Sequence, residues 1–272
     1  MVIRTSAARL ARFIHSLAQY LTSLNPYEWA CLGQLDHVVK PNQTREAPMF
    51  TAMLEVHPIP EQFDAYLGMA KMLRPELEKI DGFIDNNRYA SLTRDGWLLS
   101  LSSWRDEKAL IRWRSQETHH KIMQAARDRV FSDYRLRIGQ TVSDTQLPAG
   151  QVLREQRLDV TETGQGTAVT LHDGKFPPEW IKQADAEAVV KSLGVDTSAP
   201  GLVSWDVFEH LMTPGDVIAV LTWRDQAAIE AFERHAATTD VLRLRTIRII
   251  REYGMFDRRE APQYFKEAQL KA

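Results

Sequence analysis

A tandem repeat constrains the fold of this chain more than any other feature of its sequence. The tripeptide Trp-Arg-Asp occurs at Trp104–Asp106 and again at Trp223–Asp225, an offset of 119 residues. Under the same offset Trp113 aligns with Phe232, and each tripeptide follows an apolar run that is typical of a β-strand. A duplication of this length predicts two copies of one supersecondary unit.

Each copy is predicted to fold as β-α-β-β-α-β, because period-2 and helical patterns of apolar residues alternate along it in that order. In the first copy the predicted elements are a strand at 50–56, a helix at 62–79, two strands on either side of the turn signal Asp95-Gly96, a second helix that breaks near 115–118 and resumes to 131, and a strand at 134–142. In the second copy strands are predicted near 167–172, 202–211, 217–222 and 241–253.

Two such copies produce two antiparallel four-stranded sheets, each with helices on one face. Since the bare faces must be covered, the prediction is an α+β fold in which two ferredoxin-like βαββαβ repeats form an α+β barrel within one chain. The predicted divisions are an N-terminal amphipathic helix and linker at 1–47, a first domain at 48–148, a second and divergent domain at 149–262, and a C-terminal tail at 263–272.

Composition and charge exclude several classes of protein. The chain has 272 residues and a formal net charge of -2, which is too balanced for a dedicated nucleic-acid binder. Its apolar runs are far shorter than the roughly 18–20 residues that cross a bilayer, so no membrane span is predicted. The single cysteine, Cys31, cannot form an intramolecular disulfide, and a cytoplasmic location is therefore expected. No His-x-x-x-His pair is present, so no metal site is predicted.

The first 24 residues form a separate amphipathic pattern. Arg4, Arg9 and Arg12 occur before the first acidic residue, Glu28, and apolar residues recur between them at helical spacing. Four interpretations of this predicted helix stay open: a transit-type segment, a membrane-surface helix, a helix docked on the body of the protein, and an extension without function.

A spaced set of residues in the first copy resembles a known family. The set is Trp104, Ala109, Leu110, Trp113, Arg114, His119, Gln124, Arg127, Phe131 and Tyr134. Its spacing resembles that of the antibiotic biosynthesis monooxygenases, a family of dimeric α+β barrel proteins, closely over residues 50–142 and more weakly over 167–253. The family includes cofactor-independent oxygenases of polyphenols, quinol oxygenases and haem-degrading oxygenases.

The resemblance implies a monooxygenase that oxidises a planar phenolic or quinol-type small molecule with O₂ and needs no cofactor. Such a reaction requires a dry pocket for the ring, a base, and donors or cations that stabilise the developing anion. The catalytic candidates are His119, Trp113, Tyr134 and Arg127, and the substrate-binding candidates are Asn87, Arg88, Trp104 and His120. On the predicted helix His119 shares a face with Met123 and is expected to point inward, whereas His120 is expected to be more exposed.

Two alternatives to this function stay open. One is a haem-binding or haem-degrading protein in which His119 is an axial ligand, although residues 50–56 lack the asparagine that haem-degrading relatives carry on the first strand. The other is a non-catalytic pseudo-dimer that binds a ligand. In the second copy Thr238 and Thr239 replace His119 and His120, so the site is expected in the first copy. The pairing of the two copies leaves a homo-oligomer possible.

Overall fold

The computed structural model describes residues 47, 49–233, 241–261, 263 and 265–269. The predicted N-terminal helix, Cys31, Thr238 and Thr239 lie outside the described residues.

The first half contains the predicted elements in the predicted order. They are β1 (Phe50–Pro58), a 3₁₀ turn (Pro60–Gln62), α1 (Phe63–Glu78), β2 (Phe83–Ser91), β3 (Leu98–Trp104), α2 (Glu107–Ser115), α3 (Glu117–Arg129) and β4 (Phe131–Asp144). The predicted break in the second helix is present between α2 and α3. Its predicted end at Phe131 is wrong, because the helix stops at Arg129 and Phe131 already pairs with Pro58 of β1.

The second half repeats the order of strands. Its elements are β5 (Ala168–Lys175), α4 (Pro178–Ile181), α5 (Ala186–Ser192), β6 (Leu202–His210), β7 (Asp216–Trp223), α6 (Gln226–Glu233) and β8 (Arg243–Gly254).

The eight strands form one closed antiparallel barrel in the order β1-β3-β2-β6-β7-β5-β8-β4. The strands of each half are neighbours, and the halves join edge to edge where β2 pairs with β6 and β4 pairs with β8. The α+β class with antiparallel strands is therefore confirmed. Inside the barrel one apolar cluster contains residues of both halves: Met53, Tyr89, Leu99, Leu101, Val169, Leu171, Phe208, Ile218, Val220, Ile247 and Ile249.

The repeated tryptophans are buried alike in the two halves. Trp104 and Trp223 are fully buried. Each donates its indole N–H to a hydroxyl oxygen 2.9 Å away, but the acceptors are not equivalent: Ser102 lies on the same strand as Trp104, and Thr170 lies on β5, next to the strand of Trp223. Full burial therefore makes Trp104 part of the core of the first half.

A pair of glycines occupies equivalent positions in the two halves, directly before β2 and directly before β6. Gly82 and Gly201 have φ values of 89° and 85°, which favour glycine over any other residue. A Cβ on Gly82 would lie 2.7 Å from the Cβ of Ala109, and one on Gly201 would lie 2.5 Å from the Cβ of Ala228. The close approach of strand and helix therefore requires glycine in both copies.

Candidate active site

A cavity of about 180 Å³ lies between the first-half sheet and the helices α1 and α3. Helix α1 contributes one face at helical spacing, with Tyr66, Met69, Ala70, Leu73, Arg74 and Leu77. Helices α2 and α3 contribute Leu110, Trp113, Arg114, His119, His120, Ile122, Met123 and Ala126. Alternate residues of the strands form the floor, namely Ala52, Leu54, Asn86, Arg88, Ser100, Ser102, Leu136 and Ile138. Most of the wall is apolar, and its polar side chains come from both the floor and the helices.

Two polar side chains on the floor have atoms that no other described residue satisfies. Asn86 donates from Nδ2 to Ser100 Oγ at 3.0 Å, but its Oδ1 atom is buried without a hydrogen-bond partner. Arg88, two residues along β2, has a buried Nε atom without a partner, and within the described part of the chain it forms no ion pair. Buried polar atoms are normally hydrogen-bonded, so this donor and this acceptor are suited to a ligand.

The cavity wall is positively charged. Arg74, Arg88, Arg114 and Arg258 line it, and none of the described lining residues is acidic. Arg74 forms an ion pair with Glu78 at 2.5 Å, which leaves Arg88 as the lining arginine best placed to bind an anion. Arginine charges around an apolar space favour an anionic ligand over a cationic one.

Two aromatic side chains of the cavity wall stack on each other where the second helix is broken. The backbone of Gln116 is extended, and its side chain accepts a hydrogen bond from the N–H of His119 at 2.5 Å, so that α3 begins there. The break lets the rings of Trp113 and His119 stack face to face, with centroids 4.2 Å apart and planes inclined by 23°. Both residues line the cavity.

His119 is held in its neutral form. Burial lowers the pKa of His119 to about 4, and the nearby carbonyl groups of Trp113 and Arg114 offset only part of this effect. At neutral pH the imidazole therefore carries no charge and has a nitrogen that can accept a proton or a hydrogen bond.

Lowering the pH from about 6.5 to about 4 is expected to destabilise the fold through His119 and His172. Burial lowers the pKa of each to about 4, whereas their ordinary value is 6.5. As the pH falls, the unfolded chain takes up these protons before the folded chain does. The contribution of the two histidines to the free energy of unfolding is therefore fully present above about pH 6.5 and is lost as the pH falls toward about 4. The decrease is at most about 1.4 kcal/mol per pH unit for each histidine. Urea denaturation at a series of pH values measures this slope.

The variant His119→Gln is the control for this pH dependence, because glutamine does not titrate. It should remove about half of the histidine contribution to the slope between pH 6.5 and pH 5. An unchanged slope in this variant would show that the pKa of His119 does not differ between the folded and unfolded chain.

Tyr134 lines the cavity at the start of β4 and is held by two arginines. Its hydroxyl oxygen accepts a hydrogen bond from Arg127 Nη1 and another from Arg258 Nη1, the latter at 2.8 Å. Since both lone pairs of the phenol oxygen are then occupied, its own O–H remains available as a donor. Arg127 is buried behind Tyr134 and is not part of the cavity wall.

Comparison with known proteins identifies the family. The family model for antibiotic biosynthesis monooxygenase matches residues 49–125. The chain is also 41% identical over 225 residues to the jasmonate monooxygenase of Pyricularia oryzae, a match that covers 81% of this chain and all of that protein. The chain belongs to the antibiotic biosynthesis monooxygenase family. The resemblance inferred from the sequence is thus confirmed.

Solved structures show more distant likenesses. A crystal structure from Lactobacillus acidophilus, assigned as a monooxygenase, is 8% identical with a TM-score of 0.34, covering 76% of this chain and 96% of that chain. Aldoxime dehydratase is 13% identical with a TM-score of 0.44, covering 74% of this chain and 81% of that chain.

Five of the eight candidate residues line the cavity of this family member: Trp113, His119, His120, Tyr134 and Arg88. His120 also lines the cavity and stacks on Phe265 with ring centroids 4.9 Å apart, and both histidines are half-buried, so the expectation that His120 is the more exposed stays a prediction. The structure places Asn87 elsewhere, since alternate residues of a strand point to opposite faces and Asn86 takes the position on the floor. Trp104 lies in the core and Arg127 lies behind Tyr134.

Sequence reasoning missed several lining residues. Ser100, Ser102, Tyr253, Arg258 and Phe265 all contribute to the wall. The period-2 pattern of β3 contained a signal for the two serines, which alternate with Leu99 and Leu101. No local pattern marks Arg258 and Phe265, because they reach the first half through the closure of β4 on β8.

The described residues also bear on metal and membrane binding. They contain no group of three or more His, Cys, Asp or Glu side chains placed to hold a metal ion. None of the described helices combines the length and hydropathy needed to cross a membrane.

Proposed function

We propose that this protein is a monooxygenase that acts on a small, largely apolar acid of the jasmonate class, bound in the cavity between the first-half sheet and its helices. The name of the Pyricularia oryzae relative supports this substrate class. Jasmonate is a carboxylic acid with a ring ketone and an apolar chain, and an apolar cavity with positively charged lining residues suits such a molecule.

The observation that carries the proposal is the buried Nε atom of Arg88, which has no hydrogen-bond partner. Arg88 is half-buried and forms no ion pair with another described residue, and a carboxylate can accept two parallel hydrogen bonds from a guanidinium. In the proposed complex the substrate carboxylate binds Arg88 on the floor, and the ring lies against the wall formed by Trp113 and His119.

The proposed reaction uses the substrate as the electron donor and needs no cofactor. Dioxygen reacts slowly with closed-shell molecules, so the substrate must first become an electron-rich anion. A proton leaves a methylene beside a carbonyl, the enolate transfers an electron to O₂, and the two radicals combine to a peroxide anion. The peroxide anion takes the proton back and becomes a hydroperoxide. Loss of water converts the methylene to a carbonyl, so that one oxygen atom enters the product, the other leaves as water, and no external reductant is consumed.

Each catalytic candidate has a role in this scheme. His119 accepts the proton, because it is neutral at physiological pH, and Trp113 fixes its ring by stacking. The O–H of Tyr134 donates to the developing oxyanion, and Arg127 positions Tyr134 through their hydrogen bond. The arginines of the wall lower the energy of the enolate.

A planar phenol or quinol is the second candidate substrate. The aromatic lining residues Trp113 and His119 favour it, because an aromatic side chain in the wall can bind a flat ring by stacking. A phenolate is also an anion that can donate an electron to O₂ and would gain from the same arginines.

One feature of the sequence speaks against haem. The first strand, Phe50–Pro58, offers no asparagine toward the cavity, whereas haem-degrading relatives carry one on this strand. An absorbance scan with added haemin tests this point. A Soret band that appears in the wild type and is lost in His119→Ala would overturn the cofactor-free proposal in favour of haem binding.

Oxygen uptake with a panel of substrates tests the proposed function. Jasmonate should support uptake without added reductant, and isotope-labelled O₂ should place one labelled atom in the product. The variants Trp113→Leu and His119→Ala should reduce the rate at least about tenfold, as expected for loss of a substrate wall or a general base.

The matched control is Phe232→Leu, which removes the second-half counterpart of Trp113 and should leave the rate unchanged. Uptake with hydroquinones or anthrones alone would favour the second candidate. Binding of jasmonate without turnover of any compound in the panel would show a ligand-binding pseudo-dimer instead of an enzyme.

A further inference from the structure

We infer that the C-terminal segment, residues 265–269, is a lid over the cavity, which we call the door, and that Phe265 is the side chain that closes it. Ligands enter when the segment detaches, and Phe265 limits their size when it returns. The inference deepens the proposed function and rests on it only in taking this cavity as the binding site.

Phe265 lies at the border between the cavity and solvent. It lines the cavity and is itself only half-buried, so one part of it faces the interior and another faces water. Its ring stacks on His120 with centroids 4.9 Å apart and planes inclined by 12°. The guanidinium carbons of Arg127 and Arg258 lie 5.0 and 5.6 Å from its centroid.

The described contacts that hold the rest of the segment are few. Arg127 Nη2 donates to the carbonyl oxygen of Lys266 at 2.7 Å, and the N–H of Ala268 donates to Met255 O at 3.0 Å. The backbone N–H of Arg258 donates to Glu267 Oε1 at 3.0 Å. Segments with few buried contacts open at a lower free energy than the strands they cover, so this segment can detach while the barrel stays closed.

The door is connected to the inside of the cavity by two cations. Arg127 and Arg258 both contact the ring of Phe265, and both donate to the hydroxyl oxygen of Tyr134. Tyr134 is a lining residue, so a ligand that hydrogen-bonds to it acts on the same pair of arginines that holds the door. We therefore expect a bound ligand to stabilise the closed position.

Stopped-flow binding of 2-naphthoate, a small fluorescent apolar acid, tests the door without requiring turnover. Phe265→Ala should raise the association and dissociation rate constants roughly tenfold each, because it removes the stacking and cation–π contacts that keep the segment closed. Phe265→Leu should fall between this variant and the wild type. Gln269→Ala changes an exposed residue of the same segment and should match the wild type. Ala70→Phe fills the cavity and should abolish the signal, which shows where the probe binds.

The possible outcomes separate the door from the proposed function. If the association rate constant of Phe265→Ala lies within about twofold of that of the wild type, the segment is not a door. The same conclusion follows if neither protein binds 2-naphthoate. Binding by Phe265→Ala alone would support the door. Fast binding by the variant in a protein that oxidises no substrate would support the door and reject the monooxygenase.

Hydrogen exchange in the unaltered protein provides a second test that does not depend on the folding of a variant. The Ala268 amide should exchange faster than the amides of β4 and should slow when 2-naphthoate is added. Exchange of Ala268 as slow as that of β4 in the absence of ligand would contradict an opening segment.

Discussion

Replacing Arg88 with methionine is expected to lower kcat/KM for jasmonate about 100-fold, which corresponds to the loss of ~2.7 kcal/mol of charge-assisted hydrogen bonding. The effect should be large because Arg88 has no ion pair within the described residues, so its charge is free to bind the substrate carboxylate. For the same reason the thermal midpoint of the variant should not fall. Steady-state oxygen uptake and a melting curve measure the two quantities.

Two controls make the prediction for Arg88 specific. Arg88→Lys keeps the charge but loses the planar fork, and it should retain roughly a tenth of the activity. Methyl jasmonate lacks the carboxylate charge, so Arg88→Met should affect its turnover much less than that of the acid. Equal losses for acid and ester would mean that Arg88 does not bind the carboxylate.

Replacing Glu55 with leucine is expected to lower the free energy of unfolding by about 3–5 kcal/mol. Glu55 forms ion pairs of 2.5 Å with both Arg137 and Arg94, and the side chains of Glu55 and Arg137 are only 5% and 2% exposed. Burial acts to raise the pKa of Glu55, but the charges of Arg137 and Arg94 outweigh it and leave the pKa lowered. Removal of the carboxylate would leave Arg137 charged and buried.

This ion cluster also connects the two halves of the barrel. Arg137 Nη1 donates to Thr222 Oγ1 of β7 at 2.8 Å, and Arg94 forms a 2.6 Å ion pair with Asp206 of β6. The double variant Glu55→Leu, Arg137→Met replaces the pair with apolar side chains and should regain most of the lost stability, as urea denaturation would show. A loss below about 1 kcal/mol in Glu55→Leu alone would place the pair among ordinary surface ion pairs.

The pattern of the sequence predicts where the strands of this fold lie better than it predicts which of their residues point toward the cavity. Periodicity and the repeat placed every strand, because each apolar run and each turn occurs twice. The choice between Asn86 and Asn87 was not accessible in this way. Both faces of β2 are covered in the barrel, one by helices and one by the interior cluster. Its sequence therefore lacks the alternation of apolar and polar residues that marks a strand with one face in solvent.

Some residues of the site could not be predicted because they come from a distant part of the sequence and reach the site only when the barrel closes. Trp113 and His119 belong to one helical segment, and the family-like spacing within that segment was sufficient to name both as candidates. Arg258 and Phe265 follow β8, more than a hundred residues away, and reach Tyr134 only because β8 pairs with β4. Residues 263–272 were predicted to be a tail because no periodic pattern of apolar residues runs through them.

Oxygenation in the helix–sheet cavity of the first half requires jasmonate to bind there, and a crystal structure of the protein with jasmonate bound would locate it. We expect the ligand in this cavity, with its carboxylate oxygens about 3 Å from the guanidinium of Arg88 and its ring against Trp113 and His119. Jasmonate bound within the second half, or at any other place while this cavity stays empty, would show that the reaction does not take place here.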